Sequence, residues 1–450
     1  MHVKDSRNHD HHNEKNSHRD IHVIGFNHHP PPSALASDST GCITAAVQAI
    51  EDPAVSVYAG GNMKINGLWE SEGSMIIGGN LVNEGGISLA GKVMWGMGYQ
   101  PPANATMLAV GGNITSAVDS FASGNIRVGG TVTGNLQLAN EKTIRALLVK
   151  WGINPDASSD GGMTPLQSYM RWAYENQKNA KTLTKLGKTN ALKVDMDGDG
   201  TLESDFNDHV NKSLKPLSNQ LRATPTTGRI TYEKAPDIPN YGFVSMAAGE
   251  QYMSITKEGK IVFTGDGQKH RQVFNLNTTE LDAAKTRLGV RQWSLDFENI
   301  PDGQAIVVNV TTPDSYAWIP GWRIWINGVN RTTYVNSSGD SLNRYRDAAS
   351  RIMWNFPNTK NLTLKNAYYD AVKGSTSGLD QQEKSSSGVL FPGSILLPNG
   401  KLTVFADTNG RLLVGGDMEW KVWEHHNLAW IGFDEPQCFA ISGRTAALLR

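Results

Sequence analysis

The sequence predicts a mainly β protein with an α-helical insertion, whose β body is a β-solenoid-like structure, or irregular β-helix. Three observations lead to this prediction: a repeated Gly-Gly motif with short strands, a helical segment that interrupts it, and short strands that return afterwards. A chain of 450 residues has room for two or three structural parts. We divide it into a His-rich tail (1–40), a first solenoid segment (41–139), a helical insertion (140–225) and a second β-rich segment (226–450) that completes the solenoid.

The composition excludes two broad classes of function. Lys and Arg number 42 against 43 Asp and Glu, so the net charge of -1 gives no general attraction to nucleic acid or to an acidic membrane surface. No apolar run approaches the roughly 18 to 20 residues that a membrane-spanning helix needs. We therefore expect neither a nucleic-acid partner nor a transmembrane segment.

The first segment, residues 1–40, is rich in histidine and lacks apolar periodicity. Eight of the 12 histidines precede residue 33, and three consecutive prolines follow them. This segment cannot bury a core, so we predict that it is disordered. His9, His11 and His12 are either a transition-metal tract or part of a tail, a misplaced start or a remnant of cloning.

The two cysteines, Cys42 and Cys438, lie near opposite ends of the chain. They form either one disulfide, which closes a long loop in an oxidising compartment, or two unrelated buried thiols. The sequence leaves both alternatives open. No signal segment with a charged start and an apolar run precedes the first strands, so no visible leader indicates export.

A glycine repeat organises residues 41–139. The segments YAGGNMKI, IIGGNLVN, AVGGNITS and RVGGTVTG each contain an apolar residue, two glycines, a small polar residue and a short alternating strand. Their glycine pairs begin at Gly60, Gly78, Gly111 and Gly129, and LVGGDMEW at Gly415 repeats the pattern far downstream. Such repeats are typical of stacked coils, each of which buries its apolar face against its neighbours. The alternative is a series of ordinary hairpins with glycine turns.

Residues 140–225 change to a helical period. One face of an amphipathic helix is predicted by the spacing of Ile144, Leu147, Leu148 and Trp151. A second helix is predicted to begin near Thr164 and Pro165, which suit the N-cap and the first helical position, and to end at Gly187.

An acidic loop, DMDGDGTLESDF, follows the second predicted helix and has the spacing of a calcium loop. Its predicted oxygen ligands are Asp195, Asp197, Asp199, the Thr201 carbonyl and Glu203. The match is imperfect because Phe206 occupies the twelfth position, where an EF-hand has a bidentate Glu. We expect a structural Ca²⁺ here; the alternative is an acidic turn that caps a following helix containing Val210 and Leu214.

No arrangement of residues predicts catalysis, and we assign no catalytic or cofactor-binding residue. Glu70 and Glu72 are the one pair of carboxylates predicted to share a strand face in the repeat region, and a solvated face explains them. His425 and His426 are adjacent in a predicted strand, so they face opposite ways and cannot easily bind one metal; we expect one packed and one solvated side chain.

A fixed order of motifs runs from about residue 55 to 440. These motifs are the GGN units from Gly60 to Asn113, VFNLN from Val273, IPDGQAIVVNV from Ile300, RIMWNFPNTKNLTL from Arg351, PGSILLPNGKLTV from Pro392, and LLVGGDMEWKVWEHHNLAWIGF up to Phe433. Their order resembles the choice-of-anchor A family of exported bacterial surface proteins. The resemblance implies an extracellular or wall-associated module with a β-solenoid-like body and no catalytic residues. The chain departs from the family pattern by showing no LPxTG-like sorting motif or apolar carboxyl-terminal tail.

These observations predict a non-enzymatic cell-surface or secreted protein that adheres through a face of its solenoid. The expected partners are extracellular matrix, a host glycan or a cell-wall ligand. Trp318, Trp322 and Trp325 are either a sugar-stacking patch or part of the core.

The sequence leaves two other functions open. The alternative from another class is a carbohydrate-active enzyme, a glycan hydrolase or lyase on a β-helix scaffold, which requires at least two convergent carboxylates. A flat Thr-rich face that binds ice is weaker still, because Thr115, Thr131 and Thr133 are too few to form one.

Overall fold

The computed structural model describes residues 55–67, 70–85, 92–94, 106–122, 125–138, 183–194, 210–246, 249–332, 340–368, 370–371, 390–421 and 424–433, with single positions between 142 and 202. All of them belong to one unit, 46–437, and the second unit, 1–45 with 438–450, lies outside the described residues. The His-rich tail, both cysteines, the amphipathic face from Ile144 to Trp151 and the predicted cation ligands Asp195, Asp197, Asp199, Thr201 and Glu203 lie outside them too.

Short strands make up most of the described chain. In the amino-terminal part they are β1 (Val57–Ala59), β2 (Met63–Ile65), β3 (Glu70–Glu72), β4 (Met75–Ile77), β5 (Leu81–Asn83), β6 (Lys92–Met94), β7 (Thr106–Val110), β8 (Ile114–Ala122), β9 (Asn125–Val128), β10 (Val132–Leu138) and β11 (Leu183–Lys185). In the middle part they are β12 (Arg229–Lys234), β13 (Ile238–Met246), β14 (Gly249–Ile255), β15 (Glu258–Thr264), β16 (Gln272–Asn277), β17 (Gln292–Glu298), β18 (Ile306–Thr311), β19 (Ser315–Trp318), β20 (Pro320–Ile326) and β21 (Val329–Asn330).

The carboxyl-terminal part adds ten strands, and helices are few among the described residues. The strands are β22 (Ile352–Asn355), β23 (Asn361–Leu364), β24 (Asp370–Ala371), β25 (Leu390–Pro392), β26 (Ser394–Leu397), β27 (Lys401–Val404), β28 (Asp407–Asn409), β29 (Leu412–Val414), β30 (Met418–Trp420) and β31 (Glu424–His426). The helices are α1 (Lys188–Ala191), a π-helical turn (Val210–Leu214), α2 (Lys215–Ala223), α3 (Thr278–Leu288) and α4 (Asp340–Arg351).

Two long parallel sheets contain most of these strands. The first sheet has the order β11-β9-β7-β4-β1-β29-β26-β22-β18-β16. The second has the order β19-β23-β27-β30-β2-β5-β8-β6-β3-β31-β28-β25, with β10 beside β8. We call the part formed by β6, β3, β31, β28 and β25 the third side. The mainly β composition and the long parallel sheets are consistent with a β-helix-like fold.

Strands from opposite ends of the sequence pair at one place, which we call the junction. There β1 pairs with β29, β2 with β30 and β3 with β31, all in parallel. The Gly60 N–H donates to the Val414 carbonyl at 2.8 Å, and the Gly61 N–H donates to the Gly416 carbonyl at 2.9 Å. Because the Gly-Gly segments stack in parallel ladders, the alternative of ordinary hairpins is wrong for these strands.

Glycine is required where consecutive coils approach each other. A Cβ atom on Gly60 would collide with the carbonyl oxygen of Gly415, and one on Gly415 would collide with the carbonyl oxygen of Pro398. The backbones are therefore too close for any side chain at these corners. This explains why the Gly-Gly pair recurs in coils that are distant in sequence.

The first sheet is covered on both faces. One face contributes to the main core, with Val57, Met75, Leu108, Ile126, Ile395 and Leu412 among its buried residues. The other face packs against the end of α1, the π-helical turn and α2 in a second cluster that includes Tyr58, Ile76, Ala109, Leu192, Leu214, Leu217, Leu221 and Leu413. Burial of about ten such side chains, each stabilising by roughly 1.5–3 kcal/mol, fixes these helices to the sheet.

A ladder of three asparagines, of which Asn309 and Asn355 are buried and Asn275 is exposed, joins this sheet to α2. Asn355 Nδ2 donates to Asn309 Oδ1 at 2.8 Å, and Asn309 Nδ2 donates to Asn275 Oδ1 at 3.2 Å. The ladder also contacts the helix, because Ser218 Oγ donates to Asn355 Oδ1 at 2.6 Å and Asn309 Nδ2 donates to the Leu221 carbonyl at 3.0 Å. Asn355, which lies between Trp354 and Phe356, thus docks the helix on the sheet.

The predicted helix from Thr164 to Gly187 is wrong at its carboxyl end. Leu183–Lys185 forms β11 and pairs in parallel with β9, with Leu183 opposite Ile126. Gly187, with φ 74°, precedes α1 instead of ending a helix. Pairing with an existing sheet outweighs the weak helical preference of a short segment.

A five-stranded sheet, β12-β15-β17-β20-β21, packs against the β16 end of the first sheet. The Phe263 ring lies 5.3 Å from that of Phe274 and stacks on Phe297 at 4.8 Å. Helix α3 follows β16; the side chain of Asn277 accepts from the Thr279 N–H, and Gly289 ends the helix in a left-handed conformation. A separate three-stranded sheet has the order β13-β14-β24.

An ion pair is buried within this five-stranded sheet. Glu258 and Arg323 have 1 % and 5 % relative exposure, and Arg323 Nε lies 2.5 Å from Glu258 Oε2. The other oxygen of Glu258 accepts from Ser294 Oγ and from the Trp322 N–H, and Arg323 also donates to the Pro236 carbonyl. Both oxygens of the buried carboxylate thus accept hydrogen bonds from groups of the protein.

Candidate adhesive face

The exposed face of β10, β8, β5, β2, β30, β27, β23 and β19, here called the outer face, is the candidate functional surface. The opposite face of these strands is apolar and belongs to the core, through Ile114, Leu81, Met63, Met418, Leu402 and Leu362. Strand residues alternate, so the residues on either side of these six point outward. Parallel pairing in register then aligns the outward residues in rows that cross the strands.

Three rows form the outer face. The first row is Thr131, Asn113, Asn80, Asn62, Asp417, Lys401, Asn361 and Ser315, all exposed. The second row is Thr133, Thr115, Val82, Lys64, Glu419, Thr403, Thr363 and Ala317, all exposed or half-buried. The third row contains Glu84, Asn66, Lys421, Phe405 and Lys365.

The first row is ordered by hydrogen bonds between coils. Asp417 Oδ1 accepts from the Asn62 N–H at 2.7 Å, and Asn62 Oδ1 accepts from the Asn80 N–H at 2.9 Å. The pattern continues because Asn80 Oδ1 accepts from Asn113 and Asn113 Oδ1 accepts from Thr131, each at 2.8 Å. These side chains are held in place before any ligand arrives, which lowers the entropy cost of binding.

The outer face has a charged centre and an uncharged end. Lys64 Nζ lies 2.9 Å from Glu84, and Lys421 Nζ lies 3.3 Å from Glu419. The hydrogen bond to Glu84 and the charges of Glu84 and Glu419 raise the pKa of Lys64, so it stays protonated. At the uncharged end Thr133 Oγ1 lies 3.4 Å from Thr115 Oγ1.

Two histidines at the junction occupy opposite faces of β31. The His425 side chain is fully buried, with Nε2 2.8 Å from Ser56 Oγ and Nδ1 2.9 Å from Thr408 Oγ1. Burial, assisted by the charges of His426 and Arg411, lowers the pKa of His425 well below its ordinary value. The ring is therefore neutral at physiological pH.

His426 points to the other face and is 16 % exposed, so the expectation of a solvated second histidine is wrong. Its Nδ1 lies 2.8 Å from Asn409 Oδ1. Burial lowers the pKa of His426, but the carboxylates of Glu72, Glu424 and Asp407 outweigh burial and raise it to about 9. His426 therefore carries a proton at neutral pH and links β31 to its acidic neighbours.

We expect the two histidines to limit stability at opposite ends of the pH range. The depressed pKa of His425 means that its contribution is complete above 6.5 and is lost as the pH falls below that value. The raised pKa of His426 means that its contribution is complete below 6.5 and is lost as the pH rises towards about 9. Chemical denaturation at pH values from 5 to 10 measures the free energy of unfolding, which should fall along an acid limb and along an alkaline limb.

Matched variants separate the two limbs. His425→Gln should flatten the acid limb and leave the alkaline limb, whereas His426→Gln should do the reverse. Identical pH profiles for the wild type and both variants would contradict the assignment.

Glu70 and Glu72 share β3, whereas three further candidate carboxylates, Glu84, Asp347 and Asp370, follow or lie in other elements. Glu84 pairs with Lys64 on the outer face, Glu72 lies on the third side, where it accepts from the Asn427 N–H at 3.1 Å, and Asp347 on α4 pairs with Arg351. Glu70 and Asp370 lie in β3 and β24, and their side chains are outside the described residues. The carbohydrate-enzyme alternative gains no support from these positions and stays a prediction.

The three tryptophans do not form one patch. Trp318 is 1 % exposed and packs edge-on against Trp354, with ring centroids 5.2 Å apart, so it belongs to the core. Trp325 is half-buried beside Lys260 and Arg323, and Trp322 packs against two alanines of neighbouring coils. A sugar-stacking patch that includes Trp318 is therefore wrong.

Metal binding is not supported by the described side chains. Among them, no group of three or more His, Cys, Asp or Glu residues is arranged to hold an ion. The calcium loop predicted at 195–203 stays a prediction because its ligands fall outside this part of the chain.

Sequence reasoning identified the Gly-Gly motifs but missed the rows. When the five motifs are aligned, the third residue after the second glycine is Thr133, Thr115, Val82, Lys64 or Glu419. That signal was available in the sequence. The continuation through Thr403, Thr363 and Ala317 was not, because those coils have no Gly-Gly pair before the strand.

The long parallel sheets of the described residues are those of a β-helix-like protein, and the outer face is ordered by hydrogen bonds between coils. Residues 56–378 match the profile of the family described as "Putative Ice-binding-like adhesive domain". The match covers more than half of the chain, and the protein belongs to this adhesive family. Membership indicates a surface adhesive protein with a non-enzymatic role, without pointing to choice-of-anchor A in particular.

Two solved structures are similar at low identity. An ice binding protein from an Antarctic Biological Consortium is 10% identical, with 89% of this chain and 96% of that chain covered and a TM-score of 0.24. The competence-associated pilin ComZ from Thermus thermophilus is 8% identical, with 86% and 71% covered and a TM-score of 0.18. Neither TM-score reaches 0.5, so neither similarity supports an inference about this chain. No curated protein sequence matches it.

None of the helices in the described residues is long and apolar enough to cross a membrane.

Proposed function

We propose that this protein is a non-enzymatic surface adhesin whose outer face binds an extracellular ligand. The single observation that carries the proposal is the difference between its two long sheets. The first sheet is covered on both faces by core and helices, whereas the second presents three rows of side chains on one face, all exposed or half-buried except Phe405. The family match supports an adhesive role for such a face.

The outer face suits a repetitive ligand. Neighbouring strands are about 4.8 Å apart, so the first row repeats a short Thr or Asn side chain at that interval at Thr131, Asn113, Asn80 and Asn62. The Asn and Thr side chains of the first row are short and already hydrogen-bonded, so little conformational freedom is lost when a ligand binds. Extracellular matrix, host glycans and cell-wall polymers all present repeated groups.

The test is a charge placed in the uncharged part of the face. Thr115→Arg should reduce retention at least tenfold on whichever immobilised surface holds the wild type, among matrix proteins, a glycan array, cell-wall preparations and ice. Thr115 is exposed, so the variant should fold.

Ser213→Arg is the matched control, since Ser213 is exposed on the helical segment that covers the other sheet. It should bind as the wild type does. Equal retention of Thr115→Arg and wild type would contradict the outer face, and no retention of the wild type on any surface would contradict adhesion itself.

An extracellular or cell-surface location follows from an adhesive role. The finer assignment to the choice-of-anchor A family rests on the motif order described above and stays a prediction. The mode of anchoring is part of that prediction.

A structural Ca²⁺ in the loop at 195–203 is part of the proposal. An ion bound only by the folded state, at a free concentration of about 100 Kd, stabilises by about 2.7 kcal/mol. Chelation should therefore lower the melting temperature, and Asp197→Asn should remove the effect of the chelator. An unchanged melting temperature in the chelator would contradict a bound ion.

A further inference from the structure

Two arginines converge on one carboxylate where α4 meets the hairpin of β20 and β21. Arg331 directly follows β21, and its Nη1 lies 3.6 Å from Asp347 Oδ2. Arg351 ends α4 one turn after Asp347, and its Nε lies 3.4 Å from Asp347 Oδ1. We call these three residues the α4 cluster. They lie on elements that contribute no strand to the outer face.

The backbone holds both arginines in place. The Arg331 N–H donates to the Ile324 carbonyl at 2.8 Å, which fixes the chain just after β21. The Arg351 carbonyl accepts from Trp430 Nε1 at 2.8 Å, and Ala348, one turn earlier on α4, is fully buried in the main core. The two guanidinium groups therefore extend from rigid elements and not from mobile loops.

The hydrogen-bonding capacity of these arginines is largely unused. The Arg351 side chain is only 5 % exposed, yet its Nε and Nη1 are buried and accept no partner among the described residues; Nε of Arg331 is in the same position. The distances of 3.4 and 3.6 Å to Asp347 exceed the roughly 2.7–2.9 Å of a charge-assisted hydrogen bond. A buried cation without acceptors is costly, so the cluster favours an additional acceptor.

The α4 cluster also carries surplus positive charge. Each guanidinium stays protonated at physiological pH, and both share the single carboxylate of Asp347. Within the described part of the chain, neither Arg331 nor Arg351 forms an ion pair with any other carboxylate. The three residues together therefore have a net charge of one positive unit, which attracts an anion.

The shape of the cluster favours a tetrahedral oxyanion. The Asp347 side chain is 44 % exposed and that of Arg331 is 19 % exposed, so the cluster opens to solvent on their side, with Arg351 behind them. Asp347 has one oxygen for each arginine, and neither oxygen is at hydrogen-bonding distance. A phosphate or sulfate group presents three acceptor oxygens even as an ester, and guanidinium groups bind such oxygens in pairs.

We propose that the α4 cluster binds a sulfate or phosphate group, either as a free ion or as an ester on a larger ligand, between Arg331 and Arg351. The group accepts hydrogen bonds from both guanidinium groups, and the carboxylate of Asp347 opposes it and limits its affinity. The site lies apart from the outer face, so the proposal does not rest on the adhesive function.

The experiment titrates the full chain with sodium sulfate and with sodium phosphate and measures the melting temperature, with sodium chloride holding the ionic strength constant. Wild type should show a saturable rise. Arg331→Gln should weaken the apparent affinity at least tenfold, because it removes charge-assisted hydrogen bonds. Asp347→Asn should strengthen it at least threefold, because it removes the opposing charge. A merely structural role for Asp347 predicts no such gain.

Arg145→Gln is the matched control, because Arg145 already donates to both oxygens of Asp156, at 2.8 and 2.5 Å. It should respond to sulfate and phosphate as the wild type does. Sulfate at high concentration stabilises folded proteins in general, so the difference between the two glutamine variants is the decisive quantity. A rise that does not saturate, or an equal response of Arg331→Gln and Arg145→Gln, would overturn the proposal.

Two polymers distinguish the sources of the oxyanion. Binding of dextran sulfate that Arg331→Gln weakens at least tenfold assigns the group to a sulfate ester, and the same result with polyphosphate assigns it to phosphate; neutral dextran is the comparison. Binding of the free ions but of neither polymer assigns the site to a free anion. Polymer binding that Arg331→Gln retains in full would contradict the site. Failure here leaves the Thr115→Arg experiment on the outer face unaffected.

Discussion

Arg323→Met is expected to lower the free energy of unfolding by about 3–5 kcal/mol. The substitution leaves the Glu258 carboxylate, which is 1 % exposed, buried without its cation. An uncompensated buried charge is far more costly than the loss of a surface ion pair. Urea denaturation followed by tryptophan fluorescence measures the difference.

The double variant Glu258→Gln, Arg323→Met supplies the control. Glutamine keeps an oxygen that can accept from Ser294 Oγ and from the Trp322 N–H but carries no charge. It should recover about 2 kcal/mol or more of the loss. A double variant as unstable as Arg323→Met would show that packing of the arginine, and not the buried charge, determines the cost.

Gly415→Ala is the second substitution with a large expected effect, about 3 kcal/mol or more. The new Cβ would collide with the carbonyl oxygen of Pro398 in the adjacent coil, and this contact is backbone, which cannot rotate away. At the junction the carbonyl oxygen of Gly415 is in turn so close to Gly60 that a Cβ atom on Gly60 would collide with it. Separation of these coils would weaken both long sheets, and equilibrium denaturation measures the result.

Gly303→Ala is the comparison for this effect. Gly303 has φ 73° and nothing within 4 Å of its Cβ position, so alanine there meets backbone strain alone. We expect a cost of roughly 1–2 kcal/mol. If the two variants were equally stable, close approach of the coils would not be the reason for the Gly-Gly motif.

The stacked glycine coils could be predicted because their cause is local. A Gly-Gly pair, a small polar residue and an alternating strand recur in sequence, and each copy reports the same backbone requirement at Gly60, Gly78, Gly111 and Gly129. The mainly β composition with long parallel sheets is confirmed at that level. The hairpin alternative fails because the strands pair with their equivalents in other coils.

Other features depend on partners that are distant in sequence. Leu183 is a strand residue because Ile126 is beside it, and nothing near Leu183 reveals that partner. In the sequence Asn355 is only a polar interruption of an apolar run, because its hydrogen-bonding partners Asn309 and Ser218 are distant along the chain. His426 likewise reads as a surface residue until the carboxylates of the third side surround it.

The outer face likewise has a part that the sequence predicts and a part that it does not. The five motifs predict which side chains share the second row, because their spacing is fixed by the strand itself. The contact of Lys365 and Lys421 with the Phe405 ring could not be predicted, since the three residues follow three different strands and only coil stacking brings them together.

The junction has a consequence for how this chain reaches its native state. Asn62 and Asp417 are 355 positions apart, yet they are hydrogen-bonded neighbours. During synthesis the amino-terminal coils emerge first, and their partner strand, which lies 355 positions further along the chain, is made much later. Until then the strand edges of these coils stay unpaired. Folding should therefore be slow and should benefit from chaperones that shield unpaired β-structure.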